Sequence, residues 1–231
     1  FLKEQGFRSI SERLKSNSFI SSENNNIILK KEAEPKYQLI DSKNNFEIIL
    51  KEIEKNGLCA IDTETNSLNI EKAELVGISL CYSEDISYYV PINHTTPDGS
   101  KRVNGQLDEK YVINLINKIC ENKSILKIGQ NIKYDIRILN KYGVTFNSIA
   151  DTMLISYSID NGIYKHNLDD LSFNHLNHTT IKYKEVVGTG KNEITFDKVT
   201  IDQAVNYAAE DSLLTFRLFK HLYPRLIKEK A

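Results

Sequence analysis

Four carboxylates in three short motifs have the types and spacings to do chemistry together: Asp62 and Glu64 in Ile61-Asp62-Thr63-Glu64-Thr65, Asp135 in Asn131-Ile132-Lys133-Tyr134-Asp135, and Asp211 in Tyr207-Ala208-Ala209-Glu210-Asp211. Gathering them is costly, since two like charges about 4 Å apart repel by roughly 4 kcal/mol at an effective dielectric near 20. Hard divalent cations relieve that repulsion. Carboxylates plus water are the ligand set of Mg²⁺ or Mn²⁺, whereas Zn²⁺ recruits His or Cys, and neither residue occurs in these motifs. A carboxylate-only site suits two divalent cations about 3.5–4 Å apart, an arrangement that activates a water and stabilises a leaving oxygen in phosphodiester hydrolysis.

The elements that must position these acids are readable nearby. Leu58-Cys59-Ala60-Ile61 is an apolar run after Gly57, so it predicts a buried strand entering Asp62, and the period of two puts Asp62 and Glu64 on one face. Asn131/Asp135 and Tyr207/Asp211 are i, i+4 pairs within helical patterns, so each pair is expected to share a helix face. Glu210 lies about 100° round the helix from Asp211 and reads as structural or solvated. Glu52, Glu54, Glu71, Glu74, Glu109 and Glu121 read as solvated charges or caps. Asp62 differs from them because strands are depleted in Asp, and an acid behind four apolar residues needs a partner.

Before this frame, residues 1–20 predict a short helix with Phe7, Ile10 and Leu14 on one face, and 21–34 is a polar linker ahead of Pro35. The boundaries expected are therefore 1–34 for an N-terminal helix and linker and 35–231 for the main domain. Tyr37–Ile40 predicts a strand, Ser42 an N-cap, and Phe46, Ile49 and Ile53 a helical stripe closed by Gly57. Strands follow at Leu58–Glu64, Leu75–Tyr82, Ile86–Ile92 and Ile125–Ile128, with helices around 107–121, 131–142, 151–160, 167–177 and 201–222. A hairpin sheet followed by one strand among many helices predicts a mixed α/β domain, not a doubly wound parallel sheet.

Composition narrows the setting. The 231 residues are 40% hydrophobic, enough for one sizeable core, and 30 basic against 31 acidic residues leave a net charge of −1. A nucleic-acid partner must then be held by metals and a local patch instead of a global field. Cys59, Cys81 and Cys120 have no paired short spacing, which fits reduced, buried thiols in an intracellular compartment. His175-x-x-His178 lacks matching Cys or acid ligands and reads as surface or capping. No apolar stretch approaches the length of a membrane span, so no membrane partner is expected. The chain begins with Phe1, not Met, which is read as a processed or excised piece.

The ordered motifs resemble the DEDDy 3′–5′ exonucleases, and their surroundings are similar to the proofreading domain of bacterial DNA polymerase I, a family A polymerase. The resemblance rests on Asp62-Thr63-Glu64-Thr65-Asn66-Ser67-Leu68, Leu75-Val76-Gly77-Ile78-Ser79, Lys127-Ile128-Gly129-Gln130-Asn131 with Lys133-Tyr134-Asp135, Asp151-Thr152-Met153-Leu154 and Tyr207-Ala208-Ala209-Glu210-Asp211, and it runs from about Tyr37 to the C-terminus. It implies a ribonuclease H-like fold, a mixed five-stranded sheet flanked by helices. It also implies a catalytic set of Asp62, Glu64, Asp135, Tyr207 and Asp211. Asp62, Glu64 and Asp211 would hold the metal that carries the attacking water, Asp62 would bridge to a second, and Asp135 would support that second ion through its waters. Tyr207 would orient the water, and the product would be a nucleoside 5′-monophosphate.

For the substrate, a single-stranded DNA 3′ end, the resemblance implies that Leu68 wedges between the last two bases and Tyr183 packs on the terminal one. Gln130, Asn131 and Tyr134 would follow the sugar–phosphate path. Tyr183 replaces the family's phenylalanine, and Lys165 stands where the bacterial pattern has Arg, so a bidentate phosphate contact is in question there. A polymerase domain C-terminal to Ala231 is the partner expected in the intact protein. Two alternatives stay open: a ribonuclease D-like or Werner-type exonuclease sharing the acids, and a non-catalytic structural exonuclease domain. The Asn-, Lys- and Ile-rich composition resembles proteins from very AT-rich genomes and makes an organellar, apicoplast-type setting the expectation for localisation.

Overall fold

The computed structural model describes residues 35–163 and 165–229, so the helix and linker expected over 1–34 lie outside the described residues. In chain order the elements are β1 (Lys36–Leu39), α1 (Lys43–Asn56), β2 (Leu58–Thr65), β3 (Leu75–Cys81), β4 (Ile86–Pro91), α2 (Glu109–Glu121), β5 (Leu126–Gly129), α3 (Lys133–Asn140), β6 (Ile149–Asp151), α4 (Thr152–Asp160), α5 (Leu168–Leu176), α6 (Tyr183–Val187) and α7 (Ile201–Glu229). The sheet order is β1-β4-β3-β2-β5-β6. Strands β4, β3 and β2 are antiparallel neighbours, and β1, β5 and β6 join in parallel.

The sheet thus has six strands where the sequence predicts five. The extra one, β6, is only three residues long and runs straight into α4, so its apolar pattern merges with the helical one. Its hydrogen bonds to β5 create it, and no local propensity announces them.

Alternation along β2 separates two layers. Cys59 and Ile61 face a core with Phe46, Ile49 and Ile53 of α1 and Val112, Ile116 and Ile119 of α2. Ala60 faces the other side, packing with Leu213, Leu218 and Leu222 of α7 and Ile155 of α4. Asp62 and Glu64 follow Ala60 in that period and so stand between the sheet and α7. α1 begins and ends as expected: Ser42 Oγ accepts from Asn45 N–H at 3.3 Å, and Gly57, at φ 70°, closes the helix onto Ile53 O.

α7 runs past the expected end at 222, through Pro224 to Glu229. A proline removes one helical donor, yet Arg225 grips Asp160 of α4 with both Nη atoms at 2.8 Å and so holds the last turns in place. Cys59, Cys81 and Cys120 are buried free thiols, and burial pushes Cys59 and Cys81 up to about 12. Among the described residues no helix is long and apolar enough to cross a membrane.

The sheet face under α7 stays thin where the acids stand. Ser79 is the register partner of Asp62, and Gly77 that of Glu64, with the register shifting at Glu64/Thr65. The fully buried Tyr89 lies across Gly77, and its hydroxyl meets His94 Nε2 at 2.8 Å while His94 Nδ1 meets Val199 O at 3.0 Å. A Cβ on Gly77 would come within 2.1 Å of the Tyr89 hydroxyl. Gly77→Ala is therefore expected to displace Tyr89 and destabilise the fold by about 1–3 kcal/mol, the usual cost of overpacking. Thermal melting checks this, and an unchanged melting temperature would show that Tyr89 is free to move.

Candidate active site

Strand alternation from β2 and helical spacing from α7 bring Asp62, Glu64 and Asp211 together, with one carboxylate oxygen of each lying within 4.8 Å of the others. They line a cleft of about 380 Å³ with Leu68, Tyr134, Tyr183 and Tyr207. Larger clefts exist, one of about 540 Å³ around Arg217 and His221, but that one lacks a converging acid set, so chemistry and not size identifies the site.

Asp135 stands slightly apart. Thr63 donates to its Oδ1 from both backbone N–H at 2.9 Å and hydroxyl at 2.6 Å, and the carboxylate is buried at 3% exposure. It is not one of the three acids that converge, although its charge acts on Asp62 and Glu64. Nor do Asn131 and Asp135 share a helix face, because α3 begins only at Lys133. Asn131 is left-handed, at φ 60°, since Asp151 captures the N–H groups of Asn131 and Ile132 at 2.9 and 3.1 Å. Asp151 also accepts from Met153 N–H, capping α4, so one side chain fixes two helix starts. An Asp just before an apolar helical run signals a cap; its grip on residues twenty positions earlier has no sequence signal.

The expected substrate contacts divide. Leu68 is 85% exposed at the cleft mouth and Tyr183 is 39% exposed, so neither is core. Tyr183 opens the short helix α6, which the sequence does not predict, and its ring lies 6.0 Å from that of Tyr207. Tyr134 lines the cleft, and its hydroxyl meets Thr65 Oγ1 at 2.7 Å and donates to Ser67 O at 3.0 Å, bracing the turn that carries Leu68. Gln130 is turned into the fold: its Nε2 donates to His166 O at 2.8 Å and its Oε1 accepts from Thr152 Oγ1 at 2.6 Å.

His175 is not a surface residue, because the face of α5 that carries it packs on α7, whereas His178 stays partly exposed and its N–H closes α5 onto Ser172 O at 3.2 Å. The His175 side chain is 7% exposed, its ring 5.3 Å from that of His221, and His178 Nε2 meets Glu210 Oε1 at 2.8 Å. Glu210 is structural, at 4% exposure. Neither His joins the acid cluster.

Electrostatics set the character of the cleft. Burial first, then the neighbouring carboxylates, hold Asp62 and Glu64 well above the ordinary carboxylate range. Burial and the Glu210 charge push Asp211 up to about 8, although the Tyr207 phenol beside it lowers it somewhat. Asp135 is raised by burial, which its two bonds from Thr63 partly offset. Tyr207 is raised by burial and by the surrounding acids, Asp211 foremost, so its proton stays on. A set of carboxylates without a paired base in the cluster is one that a divalent cation would relieve, and the donor chemistry fits Mg²⁺ or Mn²⁺.

This strain predicts a pH-dependent stability. In the unfolded chain these acids ionise near their ordinary values of about 4, whereas in the fold they hold protons to higher pH. Their contribution is therefore intact below the unfolded value and is lost as pH rises through the raised folded values, up to about 8 for Asp211. In EDTA the melting temperature should fall between about pH 5 and pH 8, more steeply than in a combined Asp62→Asn, Glu64→Gln variant. Mg²⁺ or Mn²⁺ should restore it most at the alkaline end, and equal slopes for the two proteins would contradict the assignment.

Comparison with known proteins agrees with this geometry. A family model described as 3′–5′ exonuclease matches residues 37–227. DNA polymerase I of Rhizobium leguminosarum is 43% identical over 183 residues, covering 74% of this chain and 18% of the relative, and that of Pseudomonas aeruginosa is 36% identical over 198, covering 84% and 21%. The chain thus spans about a fifth of the length of these relatives. These bacterial relatives lend no support to the organellar expectation. Among solved structures, Escherichia coli RNase D, an exoribonuclease, aligns at a TM-score of 0.60 and 17% identity over 84% of this chain and 46% of its own. Brucella melitensis NrnC with bound Mg²⁺ aligns at 0.60 and 20% over 86% and 84%. These likenesses show the α/β, ribonuclease H-like fold. The chain belongs to the 3′–5′ exonuclease family and is homologous to the exonuclease domains of DNA polymerase I.

Proposed function

We propose that the chain is a 3′–5′ exodeoxyribonuclease that removes nucleoside 5′-monophosphates from DNA 3′ ends. In the intact protein it would proofread for a polymerase I-like polymerase domain on its C-terminal side. The observation that carries this reading is the convergence of Asp62, Glu64 and Asp211 in one cleft whose rim is Leu68, Tyr134, Tyr183 and Tyr207. Two divalent cations, Mg²⁺ or Mn²⁺, would be held by Asp62, Glu64 and Asp211, with Asp135 in support. They would supply an acidified water and charge stabilisation at the phosphate. The Mg²⁺ bound by NrnC, of the same fold, favours this choice.

The chain's own residues supply position. Tyr207, with its phenol raised above the ordinary value, donates a hydrogen bond to the attacking water and is no general base at neutral pH. Leu68 separates the last two bases and Tyr183 stacks on the terminal one. Stacking is tolerant of base identity, as a proofreader requires. Tyr134 keeps the Leu68 turn in place, and Asn131 lies with it on the sugar–phosphate path. Gln130, steadied by His166 O and Thr152, lies on the same path. A duplex end must fray to enter, at a cost of a few kcal/mol that is smaller at a mismatch.

Hydrolysis of a 5′-labelled single-stranded DNA should require Mg²⁺ or Mn²⁺ and stop with EDTA. Asp62→Ala combined with Glu64→Ala should abolish it, and undiminished cleavage in that variant would remove the site assignment. An oligoribonucleotide degraded faster than DNA of the same sequence would favour the ribonuclease D-like alternative. Tyr207→Phe loses one hydrogen bond to the water and should cost about 10²-fold, with Asp211→Ala costing more. Steady-state rates at saturating metal check the order, and the reverse order would exchange the two roles.

A further inference from the structure

Glu210 is next to Asp211 in α7 and nearly as buried as any charged residue in the fold, yet it is not part of the three-acid cluster. Both of its oxygens are used on one segment: Oε1 meets His178 Nε2 at 2.8 Å, and Oε2 accepts the Ile181 N–H at 2.6 Å. That segment, 178–182, joins α5 to α6 and delivers Tyr183 to the cleft rim. α6 is five residues long, and Lys182 at its N-cap makes no side-chain cap bond, so it cannot hold its own orientation. Val187 seats the far end of α6 in the core, and on the near side the half-exposed Asp169 accepts from the buried Thr180 Oγ1 at 2.5 Å and pairs with the half-exposed Lys182 Nζ at 2.7 Å, the latter a weak surface pair. The Tyr183 ring lies 6.3 Å from the Phe196 ring and nearly parallel to it, so a small tilt of α6 would move it off the cleft.

We propose that Glu210 is a positioning residue for the DNA 3′ end: its two-point clamp on His178 and Ile181 fixes the angle at which α6 presents Tyr183. The proposal rests on the reading above, in which Tyr183 stacks on the terminal base. Glu210 would then link the helix that carries the catalytic acid to the loop that grips the substrate. Truncating it leaves the part-buried Ile181 N–H without its acceptor, whereas glutamine keeps an acceptor for Ile181 and can offer its amide to His178.

The test compares wild type, Glu210→Ala, Glu210→Gln, Tyr183→Ala and the Glu210→Ala, Tyr183→Ala pair. Two readouts are used: amide hydrogen exchange over 178–187, and kcat and KM on single-stranded DNA with Mg²⁺. Glu210→Ala should speed exchange over 178–187 by about tenfold or more while α3 is unchanged. It should raise KM by about tenfold with kcat altered by less than about threefold, and Glu210→Gln should recover most of both. With Tyr183 already alanine, adding Glu210→Ala should change KM by less than about twofold, because the clamp then has nothing to position. Equal KM effects in both backgrounds, a loss confined to kcat, or unaltered exchange would overturn the proposal. If Glu210→Ala does not fold, His178→Ala, which opens one arm of the clamp, carries the same comparison. Wild-type protein inert on DNA would reject the functional reading alone, and the exchange experiment would still decide whether the clamp exists.

Discussion

Repulsion among buried carboxylates is the constraint on which the rest of the structure depends. Asp62, Glu64 and Asp211 meet within 4.8 Å, and Asp135 adds its charge from behind Thr63. Without a counter-charge each pair costs on the order of several kcal/mol, so the surrounding framework has to hold them against it. The framework does so with its most rigid parts. Two of the acids come from β2, paired on both edges, and a third from the long helix that lies across the sheet. The strain is concentrated where a cation would release it.

Room for such a site comes from small residues. Ser79 and Gly77 oppose the two β2 acids in register, so that face of the sheet carries little volume there. Ala208 and Ala209 do the same on α7, between Tyr207 and Asp211. Tyr89 closes the floor across Gly77 and ties it through His94 to Val199, just before α7. Around the rim, side chains that touch no acid set the position of the cleft lining: Tyr134 braces the Leu68 turn, Asp151 sets the start of α3, and Glu210 holds the approach to Tyr183.

Where position followed from local period, the sequence was legible. Alternation placed Asp62 and Glu64 on one face, and the i, i+4 spacing placed Tyr207 beside Asp211, because strand and helix periods survive folding unchanged. The α1 caps followed from Ser42 and Gly57 for the same reason. What escaped was set by distant partners. Asn131 looked helical, but Asp151 pulled its N–H into a cap and left it outside α3. β6 exists because β5 offers it hydrogen bonds, and α7 continues through Pro224 because Arg225 finds Asp160. His175 read as a surface or capping group, and only packing between α5 and α7 buries it, while Glu210 read as structural or solvated and its bonds to His178 and Ile181 decide for the first.

The central claim, that the fold holds these acids in a state that metal binding completes, is tested most directly by counting the protons released when Mn²⁺ binds. Titration calorimetry in two buffers of different ionisation enthalpy gives that number. Because the acids hold protons in the metal-free fold to pH values well above the ordinary carboxylate range, binding near pH 6–7 should release about one proton or more. The release should shrink as pH approaches about 9, and it should disappear along with the binding in an Asp62→Asn, Glu64→Gln variant. Tight Mn²⁺ binding with no proton release at any pH, or binding that survives the loss of both β2 acids, would contradict the account.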